Sequence, residues 1–93
     1  MTATQILALV GLWRRTANGG TDAMGIFADD VAIEVSTTSG LTFGRTRAEN
    51  CLCQLMLQDL VKQGSWQSSY RLTKKGQKVC EALKSMGLKE DWP

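Results

Sequence analysis

The sequence predicts a mainly α-helical fold with a small β-hairpin, in a single domain with three to four helices. Three observations lead to this prediction: an apolar stripe at helical spacing near the N-terminus, a long amphipathic segment beginning at Thr46, and a short aromatic-bearing run followed by another helical pattern. At 93 residues the chain can enclose one modest core but not two. We therefore predict one domain over residues 1–87 and a C-terminal tail over residues 88–93.

The N-terminal segment predicts the first helix. Its apolar residues recur at i, i+3, i+4 and i+7: Ile6, Leu9, Val10 and Trp13. We expect the helix to run from Gln5 to about Thr16, with Thr4 as its cap. The breaker-rich residues 17–22 end it, and residues 24–27 are expected to be extended.

Residues 31–43 fit two structures. Val31 to Val35 can form a short helix, in which Ala32 is small enough for close helix packing. The same residues also alternate like a strand, and with Leu41 to Phe43 they would make a hairpin. The pattern alone does not decide between the two. In either structure we expect residues 36–44 to turn, because they are rich in Ser, Thr and Gly.

The segment beginning at Thr46 carries the strongest helical signal. Thr46 and Glu49 match a capping box, in which each side chain bonds the backbone N–H at the other end of the first turn. We predict a helix over residues 46–63, stopped by Gly64. Its buried side is expected to contain Leu52, Cys53, Met56, Leu57 and Leu60. The polar side, which contains no acid, holds Arg47, Asn50, Gln54 and Gln58.

The following residues predict a hairpin and a last helix. Trp66 to Leu72 has aromatic residues near both ends, and Gln67, Ser68 and Ser69 would form its tip. Thr73 then caps a helix from Lys74 to about Met86, stopped by Gly87. The apolar stripe of that helix is expected to contain Val79, Ala82, Leu83 and Met86.

The composition argues against several classes of protein. No apolar run approaches the ~18 residues that a membrane span needs. The N-terminal apolar run has Arg14 and Arg15 behind it rather than a basic residue ahead of it, so it does not resemble a signal peptide. We therefore expect a cytoplasmic protein without membrane association.

Enzymatic function is not expected either. The three cysteines, Cys51, Cys53 and Cys80, are odd in number and lie in helical patterns, which favours structural thiols over disulfides or a metal site. The chain contains no histidine, the commonest general base, and shows no nucleophile–base pair or phosphate-binding loop. We expect a binding protein with no cofactor, no metal and no small-molecule ligand.

Charge is unevenly distributed, although the net charge is only +2. Residues 1–44 carry two cations and four acids, whereas residues 45–80 carry seven cations and two acids. The first segment therefore has a net charge of −2 and the second +5. A basic second half suits a nucleic-acid-binding surface, because phosphate contacts supply much of the affinity. A solvated charged surface would show the same pattern.

Leu60-Val-Lys-Gln-Gly64, followed by Tyr70-Arg-Leu-Thr-Lys-Lys-Gly-Gln-Lys-Val-Cys-Glu-Ala-Leu83, resembles the recognition-helix end, wing and next helix of a winged helix-turn-helix DNA-binding domain. The multiple-antibiotic-resistance and PadR-type repressor families share this Leu-x-x-x-Gly and Leu-Thr-x-x-Gly pattern. The resemblance implies residues 46–63 as recognition helix and residues 65–72 as wing. It also favours a helix at Val31 to Val35. One departure is a longer spacing before the recognition helix, with the extra residues between Ser36 and Arg45.

The resemblance implies sequence-specific binding of double-stranded DNA by a small transcription regulator. Arg47, Asn50 and Gln54 would read base edges, since Arg pairs well with guanine and Asn or Gln with adenine in the major groove. Arg45, Thr46 and the helix N-terminus would hold phosphate. The wing and the helix after it would contact the DNA backbone or minor groove through Ser68, Ser69, Arg71, Lys74 and Lys75.

Two further features have alternative interpretations. We expect Trp66 and Tyr70 to plug the core beside the wing, although such residues can also stack on single-stranded bases. Cys51 and Leu55, together with Trp13 or Trp92, could form a homodimer patch suited to a palindromic site.

The competing function is a winged-helix protein-interaction module, whose basic face meets an acidic partner and for which DNA has no role.

Overall fold

The structure, a computed structural model, describes residues 2–16 and 25–86. Within these residues it contains, in chain order, α1 (Ala3–Arg15), β1 (Ile26–Phe27), α2 (Ala28–Ser39), α3 (Arg45–Leu57), β2 (Val61–Gln63), β3 (Ser69–Leu72) and α4 (Lys74–Ser85). The strands form an antiparallel sheet in the order β1-β3-β2. The prediction of a mainly α-helical fold with a small β-hairpin is therefore confirmed at this level. The predicted breaker cluster, the stop at Gly87, the tail and Trp92 lie outside the described residues.

The core lies between α1, α2, α3 and the sheet, and α4 closes it beside α1. Its largest fully buried side chains come from five elements: Leu9, Leu12, Val31, Val35, Leu52, Leu55, Leu72 and Cys80, with Ser69 among them. None of the helices in the described part of the chain is long and apolar enough to cross a membrane.

Helix α1 begins two residues earlier than predicted. Its cap is Thr2 rather than Thr4: the Thr2 hydroxyl accepts from the Gln5 backbone N–H, and the Gln5 side chain accepts from the Thr2 N–H. This reciprocal capping box explains the earlier start. The predicted stripe is buried at Leu9, Val10 and Trp13.

Residues 28–39 form a helix, so the alternative hairpin over residues 31–43 is wrong. The helix continues through Ser39 and ends at Gly40, which has a left-handed backbone (φ 75°). The turn is therefore confined to residues 40–44, and the predicted turn at residues 36–39 is helical instead. Ser36 stabilises that turn, because its hydroxyl donates a hydrogen bond to the Phe43 carbonyl and accepts one from the Phe43 N–H.

Helix α3 differs from its prediction at both ends. Its N-cap is Gly44, with no side-chain cap bond, so the predicted Thr46–Glu49 capping box is wrong. Glu49 instead accepts from Arg45, one turn away. The helix ends at Leu57 rather than at Gly64, because Asp59 takes a left-handed backbone (φ 61°) and the chain then enters β2.

The buried face of α3 is also rotated from the predicted one. It consists of Ala48, Cys51, Leu52 and Leu55. Cys53, Met56 and Leu57, which were predicted to be buried, are exposed. The error arises because Leu60 was counted as part of the helix. Leu60 is buried, but it lies beyond the end of α3. Placing it on the buried face therefore rotated the predicted face away from the observed one. The burial of Cys51, Leu55 and Trp13 in the core also contradicts the predicted homodimer patch.

The hairpin begins earlier than predicted. Its first strand is Val61–Gln63, which lies in the segment predicted to be the end of the recognition helix. The register pairs Val61 with Leu72, Lys62 with Arg71 and Gln63 with Tyr70. Residues 64–68 form the tip, and β1 adds a third strand by pairing Ile26 with Tyr70. The extended conformation predicted before α2 is thus seen at Ile26 and Phe27.

Helix α4 begins as predicted. Thr73 is its cap, and its hydroxyl accepts from the Gly76 N–H. The buried positions, however, are Gly76 and Cys80, while Val79 and Leu83 are partly buried. Ala82 and Met86 are exposed, so that half of the predicted stripe is wrong. Gly76 allows α4 to approach the Leu60 carbonyl so closely that a side chain at this position would overlap it.

Candidate nucleic-acid interface

The exposed face of α3 is the most distinctive surface of the described chain. Thr46, Asn50, Cys53 and Leu57 follow one line along the helix, at i, i+4, i+7 and i+11, and all four are exposed. Arg47 and Gln54 lie two turns apart on one flank of this line, and both are exposed as well. The three residues predicted to read bases, Arg47, Asn50 and Gln54, therefore share one open surface.

Arg47 is held in place by the loop that precedes α3. Its guanidinium carbon lies 5.2 Å from the centroid of the Phe43 ring, within the range of a cation–π contact. Its Nη1 also lies 3.5 Å from the Thr42 carbonyl oxygen, a long hydrogen bond. Phe43 is itself buried, so the ring provides a fixed platform for an otherwise flexible side chain.

Arg45, predicted to hold phosphate, is already engaged by two carboxylates. Its Nε lies 2.7 Å from Glu49 Oε1 and 3.7 Å from Asp29 Oδ1. The hydrogen bond that Arg45 donates to Glu49 is the main reason that the pKa of the Arg45 guanidinium is raised, and the charge of Asp29 adds to it. Arg45 and Thr46 are exposed at the start of α3, but the charge of Arg45 is compensated there.

The hairpin tip holds only part of the predicted wing contacts. Ser68 is exposed and has a left-handed backbone (φ 63°). Ser69 is 0% exposed, and its hydroxyl donates to the Trp66 carbonyl at 2.6 Å. The prediction that Ser69 forms part of the tip is therefore wrong. Ser69 is the first residue of β3, and its hydroxyl is hydrogen-bonded inside the turn.

The two aromatic residues of the hairpin have different environments. Tyr70 is half-buried and packs against the core, as predicted. Burial is the main cause of its raised pKa, with a further contribution from the neighbouring Cys53. Trp66 lies in the tip and is 51% exposed, so the prediction that it packs into the core is wrong.

A basic surface extends from the hairpin into α4. Lys62 and Arg71 are direct cross-strand partners, which places two like charges side by side. Arg71 is half-buried, and its Nε has no hydrogen-bond partner in the described residues. Lys74 and Lys75 are exposed in the first turn of α4, and Lys75 Nζ donates to the Gln58 carbonyl at 3.2 Å. Lys62 was not among the predicted contacts, because its segment was interpreted as the end of the recognition helix rather than as a strand of the hairpin.

A cleft of about 320 Å³ separates the exposed face of α3 from the hairpin. It is lined by thiol, thioether, amide and hydroxyl-bearing side chains: Cys53, Met56, Gln63, Gln67, Ser68, Ser69 and Tyr70. None of these lining residues carries a formal charge, in contrast to the basic residues on α4 and on the other face of the hairpin. No group of three or more His, Cys, Asp or Glu in the described ranges could hold a metal ion.

No protein-family model, curated protein or solved structure matches the chain. Function must therefore be inferred from the geometry of this surface.

Proposed function

We propose that this chain is a winged helix-turn-helix protein that binds double-stranded DNA in a sequence-specific manner, as a small transcription regulator. Helix α3 would enter the major groove as the recognition helix, and the hairpin tip, residues 64–68, would act as the wing. The order α2, α3, hairpin and α4 supports this proposal, since it is the order that the resemblance implies.

The observation that carries the proposal is the exposed side of α3. Arg47, Asn50 and Gln54 are side chains that can form paired hydrogen bonds with base edges, and all three are exposed on one helix. The only acid in the same stretch, Glu49, is paired with Arg45, so it does not leave an uncompensated negative charge there. Arg47 is also oriented by Phe43, which lowers the conformational cost of using it in recognition.

Phosphate contacts would come from the cations around this helix. Lys62, Arg71, Lys74 and Lys75 have no ion pair within the described part of the chain, so their charges are available to an anionic partner. Thr46 and Ser68 would add neutral hydroxyl donors at the helix start and the hairpin tip. Arg45 would contribute less than the sequence suggests, because Asp29 and Glu49 already compensate it.

The competing proposal is a protein-interaction module that has no DNA function. Its support is the exposure of large apolar side chains, among them Leu57 at 83% and Met86 at 75%. The DNA proposal is preferred because the exposed apolar residues of α3 lie directly beside three side chains that can read base edges, Arg47, Asn50 and Gln54.

A mobility-shift titration with a pool of random-sequence duplexes tests the proposal. Binding should be detectable at low salt, and log K should fall with log salt by about 0.9 for each phosphate neutralised. A polyphosphate competitor, which has charge but no bases, should displace the protein less effectively than the duplexes that the protein selects. Absence of duplex binding at low salt would refute the proposed function and leave the protein-interaction module.

A further inference from the structure

Helix α3 is chemically divided along its exposed side. The first half presents Arg47 and Asn50, whereas the second half presents Cys53, Met56 and Leu57 beside a single exposed polar residue, Gln54. Leu57 is 83% exposed and Met56 is 37% exposed, although both are large apolar side chains. The core does not use this second half, since the buried face of the helix runs through Cys51, Leu52 and Leu55.

The two halves form one continuous surface. Asn50, Cys53 and Leu57 lie on the same line of the helix, and Met56 lies beside that line, where it lines the cleft toward the hairpin. Leu57 follows Asn50 by seven positions, which corresponds to about 10 Å along the helix axis. That length matches about three base-pair steps of a duplex. A duplex that contacts Asn50 in its major groove would therefore bring neighbouring base pairs to the apolar half.

The charges around the helix favour a polyanion over an apolar protein partner. Arg47 lies at the N-terminal end of this surface, and Lys75 is fixed near the C-terminal end through its bond to the Gln58 carbonyl. Neither cation has a carboxylate partner in the described residues. An apolar stretch between two uncompensated cations fits the major groove, in which base edges lie between two phosphate backbones.

Only one base presents an apolar group in the major groove. Thymine carries a 5-methyl group there, whereas the other base edges present hydrogen-bond donors and acceptors. The side chains of Cys53, Met56 and Leu57 have no strong hydrogen-bonding group, so they gain nothing from polar base edges and would leave those edges desolvated without a partner.

We propose that the C-terminal half of α3 recognises thymine methyl groups through Cys53, Met56 and Leu57. This inference rests on the proposed function and deepens it, because it names the kind of base pair that part of the recognition helix selects. A bound site would thus combine a guanine or adenine opposite Arg47 and Asn50 with a thymine-containing step opposite Leu57.

Replacement of thymine by deoxyuridine tests this inference directly. The two bases have the same hydrogen-bonding groups and differ only in the 5-methyl group. Starting from a duplex selected by the wild-type protein, each thymine is replaced singly and the dissociation constant is measured. We expect one or two positions at which the replacement weakens binding by about fourfold, the ratio given by loss of one buried methyl-sized group.

Matched variants locate the contact. Leu57→Ala or Met56→Ala should abolish the difference between thymine and deoxyuridine at a sensitive position. Arg47→Ala should weaken binding to the selected duplex, whose base it reads, and leave that difference unchanged. Met86→Ala removes an exposed apolar side chain from α4 and serves as the control. Because these side chains are exposed, the substitutions should leave the fold intact, which thermal unfolding followed by circular dichroism verifies.

The possible failures are distinguishable. Duplex binding that is insensitive to every thymine replacement would overturn this inference while leaving the DNA-binding function in place. Absence of any duplex binding at low salt would refute both. If Leu57→Ala converts a wild-type dimer into a monomer and leaves the thymine difference unchanged, the apolar half belongs to a protein interface and the inference is wrong.

Discussion

The guanidinium carbon of Arg47 lies 5.2 Å from the centroid of the Phe43 ring, so the first turn of α3 contacts the loop before it through a cation–π interaction. The relationship matters because Phe43 belongs to the core and is also tied to α2 through Ser36. A solvent-exposed cation is thus oriented by the packing of the domain rather than by a neighbour on its own helix. In a DNA-binding protein this arrangement would fix which base Arg47 reaches.

Substitution of Arg47 should affect base preference rather than general affinity. We expect Arg47→Ala to relax discrimination at one base pair by ~1–3 kcal/mol, because a paired hydrogen bond to a base edge is lost. Arg47→Lys should have nearly the same effect, since lysine keeps the charge but not the fork of donors. Titration of duplexes that differ at single base pairs measures the discrimination.

Lys75→Ala provides the contrasting control. It should weaken binding to all duplexes alike and reduce the salt dependence, because the proposed contact of Lys75 is to phosphate. Its bond to the Gln58 carbonyl makes a check of folding by circular dichroism necessary. Equal effects of the Arg47 and Lys75 substitutions on every sequence would contradict the proposed separation of roles.

The sequence predicts elements well where the signals are local. The bounds of α4 and its cap at Thr73 follow from residues within one turn of each other. The buried face of α3 cannot be predicted in the same way, because the helix has apolar residues on both its buried and its exposed sides. Leu60, which packs into the core from beyond the helix end, adds to the ambiguity. The third strand depends on pairing between Ile26 and Tyr70, which are far apart in the sequence.

The same distinction holds for the candidate site. The residue types of Arg47, Asn50 and Gln54 and their helical spacing are sufficient to predict a shared exposed surface. The compensation of Arg45 by Asp29 is not predictable from spacing, since the two residues come from different helices. The burial of Ser69 likewise depends on where the hairpin turns, and the polar composition of residues 67–69 gave the wrong tip.

Removal of the Glu49 carboxylate should strengthen DNA binding. Glu49→Gln would release Arg45 from its shorter ion pair and would remove a negative charge beside the proposed recognition surface. We expect duplex binding to tighten by up to about fivefold at low salt, the modest size of effect that an exposed charge pair can have. The gain should shrink as salt is added, because these groups are exposed.

Glu81→Gln is the matched control for that change. It alters the net charge by the same amount from an exposed position on α4, which is outside the proposed recognition helix. Fluorescence anisotropy of a labelled duplex at two salt concentrations compares the variants. If both substitutions strengthen binding equally, the effect comes from the overall charge, and the release of Arg45 from Glu49 contributes nothing to DNA binding.

Gly76→Ala should destabilise the protein, although alanine is the better helix former. The added methyl group would overlap the Leu60 carbonyl, which is backbone and accepts a hydrogen bond from the Thr73 N–H. We expect a loss of about 3 kcal/mol in the free energy of unfolding, as for severe overpacking, instead of the gain of about 1 kcal/mol that propensity alone would give. Urea unfolding measures it, with the exposed Lys78→Ala on the same helix as control. A Gly76→Ala protein as stable as the control would contradict the close approach of α4 to Leu60.

Stability should decline at alkaline pH because of Cys80. Burial between α4 and the core, where its Sγ faces the Leu9 carbonyl, raises the pKa of the Cys80 thiol from 9.0 to about 12. As the pH rises above about 9, the unfolded chain loses this proton while the folded protein keeps it, so the unfolded state is favoured progressively. The loss should be complete near pH 12, where the folded thiol also ionises.

The Cys80→Ala variant separates this effect from other groups that titrate in the same window, such as Tyr70, whose pKa is also raised. Urea unfolding at pH 8 and pH 10.5 should show a larger drop in the wild-type free energy of unfolding than in the variant. Alkylation at pH 8 offers a second measurement: the exposed Cys53 should react rapidly, while the buried Cys51 and Cys80 should be protected until the protein unfolds. An identical pH dependence for wild type and variant, together with rapid alkylation of Cys80, would show that this thiol is not enclosed between α4 and the core.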